Sequence, residues 1–319
     1  MRAIAVACSR EELGCAEDRF VLDAFARLGV EARHEVWDDP AVDWGAFDAV
    51  IVRHAWDYYL GKRDPFCEWA LRVGATTRLF NSPETIWRNT HKWYLKQLEA
   101  RGVPTIPTLY ARTGEPRVDL RDLARQTGWT SGVVKPAIGG SAKGLLVYSD
   151  RNIDEAEEHL ARLMADEDSA GALVQPLVGS IRTKGEVSLM FVDRVFTHAV
   201  RKVPAPDDVR CQQDHGGAVY PHEPGPRELE VARRCNDAWI AETGETPLYA
   251  RVDLIDMGEE DPPPAPSRRW EGVQEAFPAP MVDPRVVEYE VVEPQMFWRF
   301  KPEAADALAR ATLRRITLK

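Results

Sequence analysis

Apolar residues run along this chain in short blocks whose period changes from two to three or four and back. Residues 1–8, Met-Arg-Ala-Ile-Ala-Val-Ala-Cys, form a brief apolar run that Ser9, Arg10, Glu11 and Glu12 close, which predicts a buried first strand. Phe20, Leu22, Phe25 and Leu28 recur at helical spacing over residues 16–29, and Gly29 closes them. Residues 31–37, 47–53 and 77–80 read as strands and 64–73 as a helix. Strands alternating with helices predict a parallel α/β sheet. Asn81-Ser82-Pro83 punctuates the end of this unit, so a first domain is expected over residues 1–85.

The pattern then changes. Ile86, Leu95 and Leu98 predict one helix over 84–101, stopped by Gly102 and Pro104. A strand at 131–136, a Gly-rich turn at 139–144 and a strand at 145–148 follow, then a helix at 152–165 and a strand at 172–178. Residues 186–192 and 195–201 predict a hairpin and 226–243 a helix. Two late strands, 248–255 and 286–292, carry acidic residues, and a helix is expected over 302–315. Between the late strands, residues 257–285 hold Pro262, Pro263, Pro264, Pro266, Pro278, Pro280 and Pro284, which predicts a long surface loop. The fold class is therefore α/β, with α+β character in the later part.

Composition narrows the classes. With 319 residues the chain is long enough for about two domains. Asp plus Glu exceeds Lys plus Arg by 51 to 41, a net charge of −10, which argues against non-specific nucleic-acid binding. It leaves room for nucleotides, which a few local groups can grip. No apolar run approaches the ~18 residues of a membrane span, and the apolar start is too short for a signal-peptide core. Cys8, Cys15, Cys67, Cys211 and Cys235 are odd in number and lack CxxC pairing, which suits a reducing cytoplasm. There is no GxxxxGK[ST], no GxGxxG after a strand and no HExxH. Gly139-Gly140-Ser141-Ala142-Lys143 narrowly misses a nucleophile elbow, since Lys143 stands where the second Gly belongs.

Four pieces carry candidate chemistry. Lys92 lies on the helix after Asn81. Val133-Val134-Lys135-Pro136 leads at once into the Gly-rich turn, a pairing suited to polyphosphate: Lys adds a point charge, and small residues let N–H groups approach oxygens. An ordinary surface Lys at a strand end is the alternative. Leu173-Val174-Gln175-Pro176-Leu177-Val178, with Glu186 beyond it, offers an extended edge for an adenine and a carboxylate for ribose hydroxyls; a buried strand and a hairpin acid read equally well. Asp253 on one late strand and Glu288 and Glu290 on the other complete the set. Two residues apart on a strand, Glu288 and Glu290 share a face. If the strands are neighbours, three carboxylates converge, and a hard divalent cation such as Mg²⁺ relieves their repulsion. A solvated acidic face is the competing reading.

In this order the pieces resemble the ATP-grasp superfamily, with glutathione synthetase and the ribosomal-protein glutamate ligases as relatives. The chain is most similar to the O-ureido-D-serine cyclo-ligase group, which makes D-cycloserine. The matching stretches are Val-Arg-His-Ala-Trp-Asp-Tyr (52–58), Asn-Thr-His-Lys-Trp-Tyr-Leu (89–95), Thr-His-Ala-Val-Arg-Lys (197–202) and Glu-Pro-Gln-Met-Phe (293–297). The resemblance implies an ATP-grasp fold behind an N-terminal Rossmann-like pre-ATP-grasp domain. Residues 1–85 would be that substrate domain, 86–178 the lid and central subdomain, and 179–319 the C-terminal subdomain. The chain departs from the group at Arg53-His54-Ala55, where Arg-Ser-Thr is usual, and at His91, where an acid is usual; its late hairpin is also longer.

The activity implied is an ADP-forming carboxylate–amine ligase acting through an acyl phosphate, with ATP and Mg²⁺, on an amino acid or small peptide-like substrate. An intramolecular cyclo-ligase in antibiotic biosynthesis is the sharpest form. Alternatives are a ligase adding amino acids to a peptide or protein, and an ATP-binding regulatory or scaffold protein without turnover. By matching position, Lys92 and Lys135 would hold the α- and β-phosphates under a lid of Gly139, Gly140 and Ser141. Gln175, Leu177 and Val178 would meet the adenine, Glu186 the ribose, and Asp253, Glu288 and Glu290 the Mg²⁺. Arg210 would stabilise the transferred phosphoryl, unless it pairs with Asp207 or Asp208. Arg53 and Arg201, both read as ending apolar strands, would grip substrate carboxylate or phosphate, unless they are structural. Trp56, Asp57 and Tyr58, with Gly216 and Gly217 of the Arg210 loop, are the remaining substrate candidates; the aromatics serve equally as core. Partners are a small-molecule or peptide substrate and a second copy of the chain in a homo-oligomer, with no nucleic acid and no membrane.

Overall fold

A computed structural model describes residues 2–258 and 280–317. Ala3–Cys8 (β1), Glu31–Val36 (β2), Ala49–Val52 (β3) and Arg78–Phe80 (β4) form a parallel sheet in the order β2-β1-β3-β4. Parallel neighbours need crossovers, and helices Arg19–Arg27 (α1) and Arg63–Thr76 (α2) supply two of them. β1 and β3 are apolar on both faces because both faces are covered: Val21 and Phe25 of α1 pack on one side, Phe66 and Trp69 of α2 on the other.

The single helix expected over 84–101 is two helices, Pro83–Asn89 (α3) and Tyr94–Ala100 (α4). Asn89 ends α3 by turning its amide onto another strand, donating to the Tyr289 carbonyl at 2.7 Å and accepting from the Val291 N–H at 3.0 Å. The Lys92 N–H leaves the helix ladder for the Ala137 carbonyl at 2.8 Å. Lys92 therefore sits in the break, not on a helix, and beside the strand that enters the Gly-rich turn.

Leu109–Ala111 (β5), Ser131–Pro136 (β6), Leu146–Ser149 (β7) and Ala172–Pro176 (β8) make an antiparallel sheet in the order β5-β8-β6-β7. Helices Leu120–Thr127 (α5) and Ile153–Ala165 (α6) cover one face, with Leu120, Leu123 and Leu160 against Val134, Tyr148 and Val174. The sequence pattern missed β5 and α5. β5 is a three-residue edge strand, and α5 buries only Leu120 and Leu123. Its ends follow ordinary rules: Asp119 accepts from the Asp122 N–H at 2.8 Å, and Gly128 closes in the left-handed region at φ 79°.

After a short turn of helix, Ser180–Thr183 (α7), Glu186–Val192 (β9) and Val195–Val203 (β10) form the expected hairpin, with Asp193 and Arg194 at its tip at φ 52° and 67°. Ala218–His222 (β11), Tyr249–Asp256 (β12) and Pro284–Glu290 (β13) complete an antiparallel sheet in the order β11-β10-β9-β12-β13. Helix Pro226–Thr243 (α8) packs under it through Ala232, Cys235 and Trp239. Glu303–Thr317 (α9) places Ala305, Leu308 and Ala309 against the α1 side of the first sheet and against Met190 and Val192 of β9, so one core joins the two ends of the chain. Of the expected Pro-rich loop 257–285, residues 259–279 lie outside the described residues, and Pro284 and Arg285 belong to β13. Among the described residues, no helix is long and apolar enough to cross a membrane.

Candidate active site

A cavity of about 450 Å³ is walled by the ends of all three sheets. Its floor is set by one strand pairing. β12 and β13 run antiparallel with Asp253 opposite Glu288 and Arg251 opposite Glu290. Alternation then puts all four side chains on one face. Oxygen atoms of Asp253, Glu288 and Glu290 lie within 4.8 Å of one another.

Three carboxylates at that range repel, and four cations answer them. Arg251 forks onto Asp253 at 2.8 and 2.9 Å and reaches Glu290 at 2.5 Å. Lys202 stands 3.5 Å from Asp253 and pairs closely with Glu186, its cross-strand neighbour. Lys92 and Lys135 each lie 3.7 Å from Glu288. The balance is uneven. Burial opposes charge on Asp253, but Arg251 and Lys202 hold its carboxyl well below the usual range. Lys92 and Lys135 outweigh burial at Glu288 and lower it. At Glu290, burial, only partly countered by Arg251, combines with repulsion from Asp253 and Glu288 to push the carboxyl up to about 8. Burial also lowers Lys135, against the pull of Glu288, and raises Glu186, against the pull of Lys202.

The Gly-rich turn forms the roof. Lys92 Nζ donates to the Gly139 carbonyl. Ser141 and Ala142 occupy the left-handed region at φ 50° and 55°, a strained pair for residues with a Cβ. Gly140 is required by contact: a Cβ there would lie 2.6 Å from the Tyr59 ring. His215 closes on the turn from the far side, with Nε2 3.1 Å from the Ser141 carbonyl.

Of the residues singled out from sequence, Lys92, Lys135, Gly139, Gly140, Ser141, Gln175, Leu177, Val178, Glu186, Arg210, Asp253, Glu288, Glu290, Trp56 and Tyr58 all line this cavity. Arg210 does so while forked onto Asp208 at 2.7 and 3.1 Å, the pairing that was its alternative. Arg53, Asp57, Arg201, Gly216 and Gly217 do not line it. Arg53 is fully buried between Asp18, at 3.2 Å, and the Pro294 carbonyl, at 2.7 Å. Asp57 accepts from Trp37 at 2.8 Å and Lys62 at 2.7 Å within the first unit. Gly216 and Gly217 turn the loop behind Arg210; a Cβ at Gly217 would strike the Cys211 carbonyl at 2.5 Å.

Arg201 does not end a strand. It lies inside β10 with its guanidinium on the Lys184 carbonyl and 3.3 Å from His222. Its neighbour Lys202 faces the cavity instead. Sequence reading also missed Arg251 and Glu293. Arg251 was visible as a cation two residues before Asp253, hence on the same strand face. Glu293 lines the cavity, and burial pushes its carboxyl up to about 7 against the pull of a Tyr58 hydrogen bond.

Residues 3–81 match the family described as D-cycloserine synthetase DcsG, N-terminal domain. The cycloserine biosynthesis protein DcsG of Streptomyces lavendulae is 34% identical over 312 residues, covering 93% of this chain and 92% of that protein. The crystal structure of D-cycloserine synthetase DcsG superposes with a TM-score of 0.83 at 27% identity, covering 98% of this chain and 99% of that one. The ATP-grasp ligase PsnB, solved with a phosphomimetic variant of its minimal precursor, Mg and ADP, shares the fold, with a TM-score of 0.59 at 16% identity over 98% of this chain and 99% of that one. The chain belongs to the D-cycloserine synthetase family and is an ATP-grasp ligase that forms carbon–nitrogen bonds.

Proposed function

We propose that this ligase activates the carboxylate of a small amino-acid-type substrate as an acyl phosphate at the expense of ATP. An amine-type nitrogen then displaces phosphate, and a nitrogen within the same molecule closes a ring. The observation that carries the reading is the meeting of Lys92, Lys135, the 139–141 turn and three carboxylates in one cavity.

Each part of the nucleotide has a place. Lys92 and Lys135 supply positive charge for the α- and β-phosphates, and Gly139, Gly140 and Ser141 cover them. For the adenine, Gln175 contributes wall while its amide is held by Thr108 at 2.9 Å. The Leu177 N–H is spent on the Ser131 carbonyl and the Val178 carbonyl receives the Ile181 N–H. Among the described residues this leaves the Val178 N–H and the Leu177 carbonyl, an adjacent donor and acceptor, for the base edge. Glu186 faces the ribose, oriented by Lys202. Arg210, released from Asp208, brings a bidentate fork to the transferred phosphoryl.

The acidic trio fits a divalent cation on chemical grounds. Its donors are all hard oxygens, and in their mutual repulsion they are held together by Arg251 and Lys202. Mg²⁺ held by Asp253, Glu288 and Glu290 would neutralise triphosphate charge at the reacting end. The protein contributes the rest by positioning: burial excludes water, and fixed cations meet charge where it develops. Trp56, Tyr58 and Glu293 form the wall nearest the first sheet and suit an amino-acid-sized substrate, its ammonium toward Glu293.

The test is Mg²⁺-dependent ADP release against D- and L-amino acids, dipeptides and O-ureido-D-serine, with Glu290→Gln as control. Turnover with a small substrate, lost in the variant, supports the proposal. Tight ATP binding with no turnover on any small substrate would shift the reading to a peptide acceptor or a regulatory protein. Equal ADP release by a folded Glu290→Gln variant would remove the metal assignment.

A further inference from the structure

The stretch Glu293-Pro294-Gln295-Met296-Phe297 follows β13 and belongs to no helix or strand, yet its backbone is pinned step by step. Four consecutive carbonyls each accept from a side chain of another part of the chain. Glu293 accepts from Trp56 Nε1 at 3.1 Å, Pro294 from Arg53 at 2.7 Å, Gln295 from Arg251 at 3.2 Å and Met296 from His198 Nε2 at 3.0 Å. Side chains alternate along it. Glu293, Gln295 and Phe297 line the cavity, while Met296 and Trp298 are fully buried in the core beside α9. Phe297 is held in the left-handed region at φ 52°, a strained setting for a bulky residue that the surrounding frame keeps in place.

Glu293 stands apart from the other acids of the cavity. It is 9% exposed and lies outside the carboxylate trio. Lys92 and Lys135 pair with Glu288, Lys202 with Glu186 and Asp253, and Arg251 with Asp253 and Glu290. Among the described residues, none of these four cations pairs with Glu293. Lys92 and Arg251 act on it only from further off, and burial outweighs them. A buried carboxylate thus faces the cavity without a cation in contact, an arrangement that is costly until a positive charge meets it.

We propose that Glu293 is the specificity residue of the substrate pocket, selecting α-amino acids by their free ammonium group at a position fixed by the pinned 293–297 frame. The assignment rests on the proposed function for the cavity's being a substrate site. An ammonium completes the missing ion pair; a hydroxyl in its place leaves the carboxylate unmatched, so 2-hydroxy acids are rejected. Amino acids whose nitrogen is already acylated are rejected for the same reason, and these include every residue of a peptide after the first. Three residues of chain separate Glu293 from Glu290, at most about 11 Å, so a small amino acid held here keeps its carboxylate near the carboxylate trio.

Affinity is measured by calorimetry on the full chain with Mg²⁺ and ADP. The probes are D-serine, L-serine and O-ureido-D-serine, each beside the 2-hydroxy acid of the same skeleton. At least one free amino acid is expected to bind, about thirtyfold or more tightly than its hydroxy acid, the scale for leaving one member of a buried charge pair unmatched. Glu293→Gln keeps the size and the backbone frame and should narrow that ratio to about threefold or less. Glu293→Asp keeps the charge and should hold the ratio above about tenfold, a split between the two variants that a purely structural role would not produce. Wild-type protein that binds none of the three amino acids, or binds the hydroxy acids as tightly, would overturn the proposal without any variant. Equal ratios in wild type and Glu293→Gln would overturn it too. The two readings fail separately. Ammonium-selective binding without ADP release would count against the ligase step alone, and ADP release with substrates that lack an ammonium would count against the role of Glu293 alone.

Discussion

Removing the Arg251 cation tests the electrostatic account of the site without nucleotide or substrate. In Arg251→Met the side-chain volume is largely kept, but Asp253 and Glu290 lose their shared partner at 2.5–2.9 Å. At an effective dielectric of about 20, one such contact is worth about 5 kcal/mol of attraction, before the desolvation that offsets it. Breaking a buried pair by deleting one partner costs about 3–5 kcal/mol, because the orphaned charge stays buried. For a chain of this size that corresponds to a fall in Tm of roughly 4–8 °C in EDTA. A divalent cation replaces the lost charge, so millimolar Mg²⁺ should recover at least half the loss in the variant and raise the wild-type Tm by much less. Thermal melts followed by circular dichroism, with and without Mg²⁺, read both effects. A variant melting within about 2 °C of wild type in EDTA would refute the claim that Arg251 holds the trio together. A large loss that Mg²⁺ leaves untouched would refute the metal assignment instead.

Three further outcomes follow from the same geometry. Glu290→Gln should keep the fold and abolish ATP turnover, measured as ADP release beside a circular dichroism spectrum; near-normal turnover would contradict the role given to this acid. Lys135→Ala should weaken ATP binding by more than tenfold, about 1.4 kcal/mol, and unchanged affinity by calorimetry would count against a phosphate contact. His198 is buried with Nε2 3.0 Å from the Met296 carbonyl, and burial lowers it to about 4. Its native form is therefore neutral, and the unfolded chain gains the proton first. Its contribution is whole above about pH 6.5 and is lost as pH falls toward 4, up to about 3 kcal/mol. Urea midpoints of wild type should drop across that window relative to His198→Gln, and parallel curves would refute the sign.

The carboxylate site was legible because strand geometry is local. Glu288 and Glu290 share a face by spacing alone, and Val-Val-Lys-Pro before a run of small residues announces a strand entering a close turn. Arg201 was singled out because the strand was read as ending there. β10 runs on to Val203, and its alternation turns Lys202, not Arg201, toward the cavity. The break between α3 and α4 was equally hidden. Its cause is an amide on Asn89 bonded to β13, about 200 residues away, and no helical periodicity records such a bond.

By itself the sequence determined most of the longer strands and helices, the parallel first unit, and the residue types that can grip a triphosphate, since propensity, alternation and turn chemistry act over a few residues; β5, α5, β11 and the break between α3 and α4 escaped it. Only the tertiary structure decided which charges meet. It paired Asp253 with Glu288 across residues 254–287, gave the carboxylates Arg251 and Lys202 as counter-charges, buried Arg53 and Arg201 away from the cavity, and set His54 against Asp18. The physical reason is range. Backbone preferences are set by neighbours in the chain, whereas Coulomb interactions and burial depend on distance in space, which exists only once the sheets have packed.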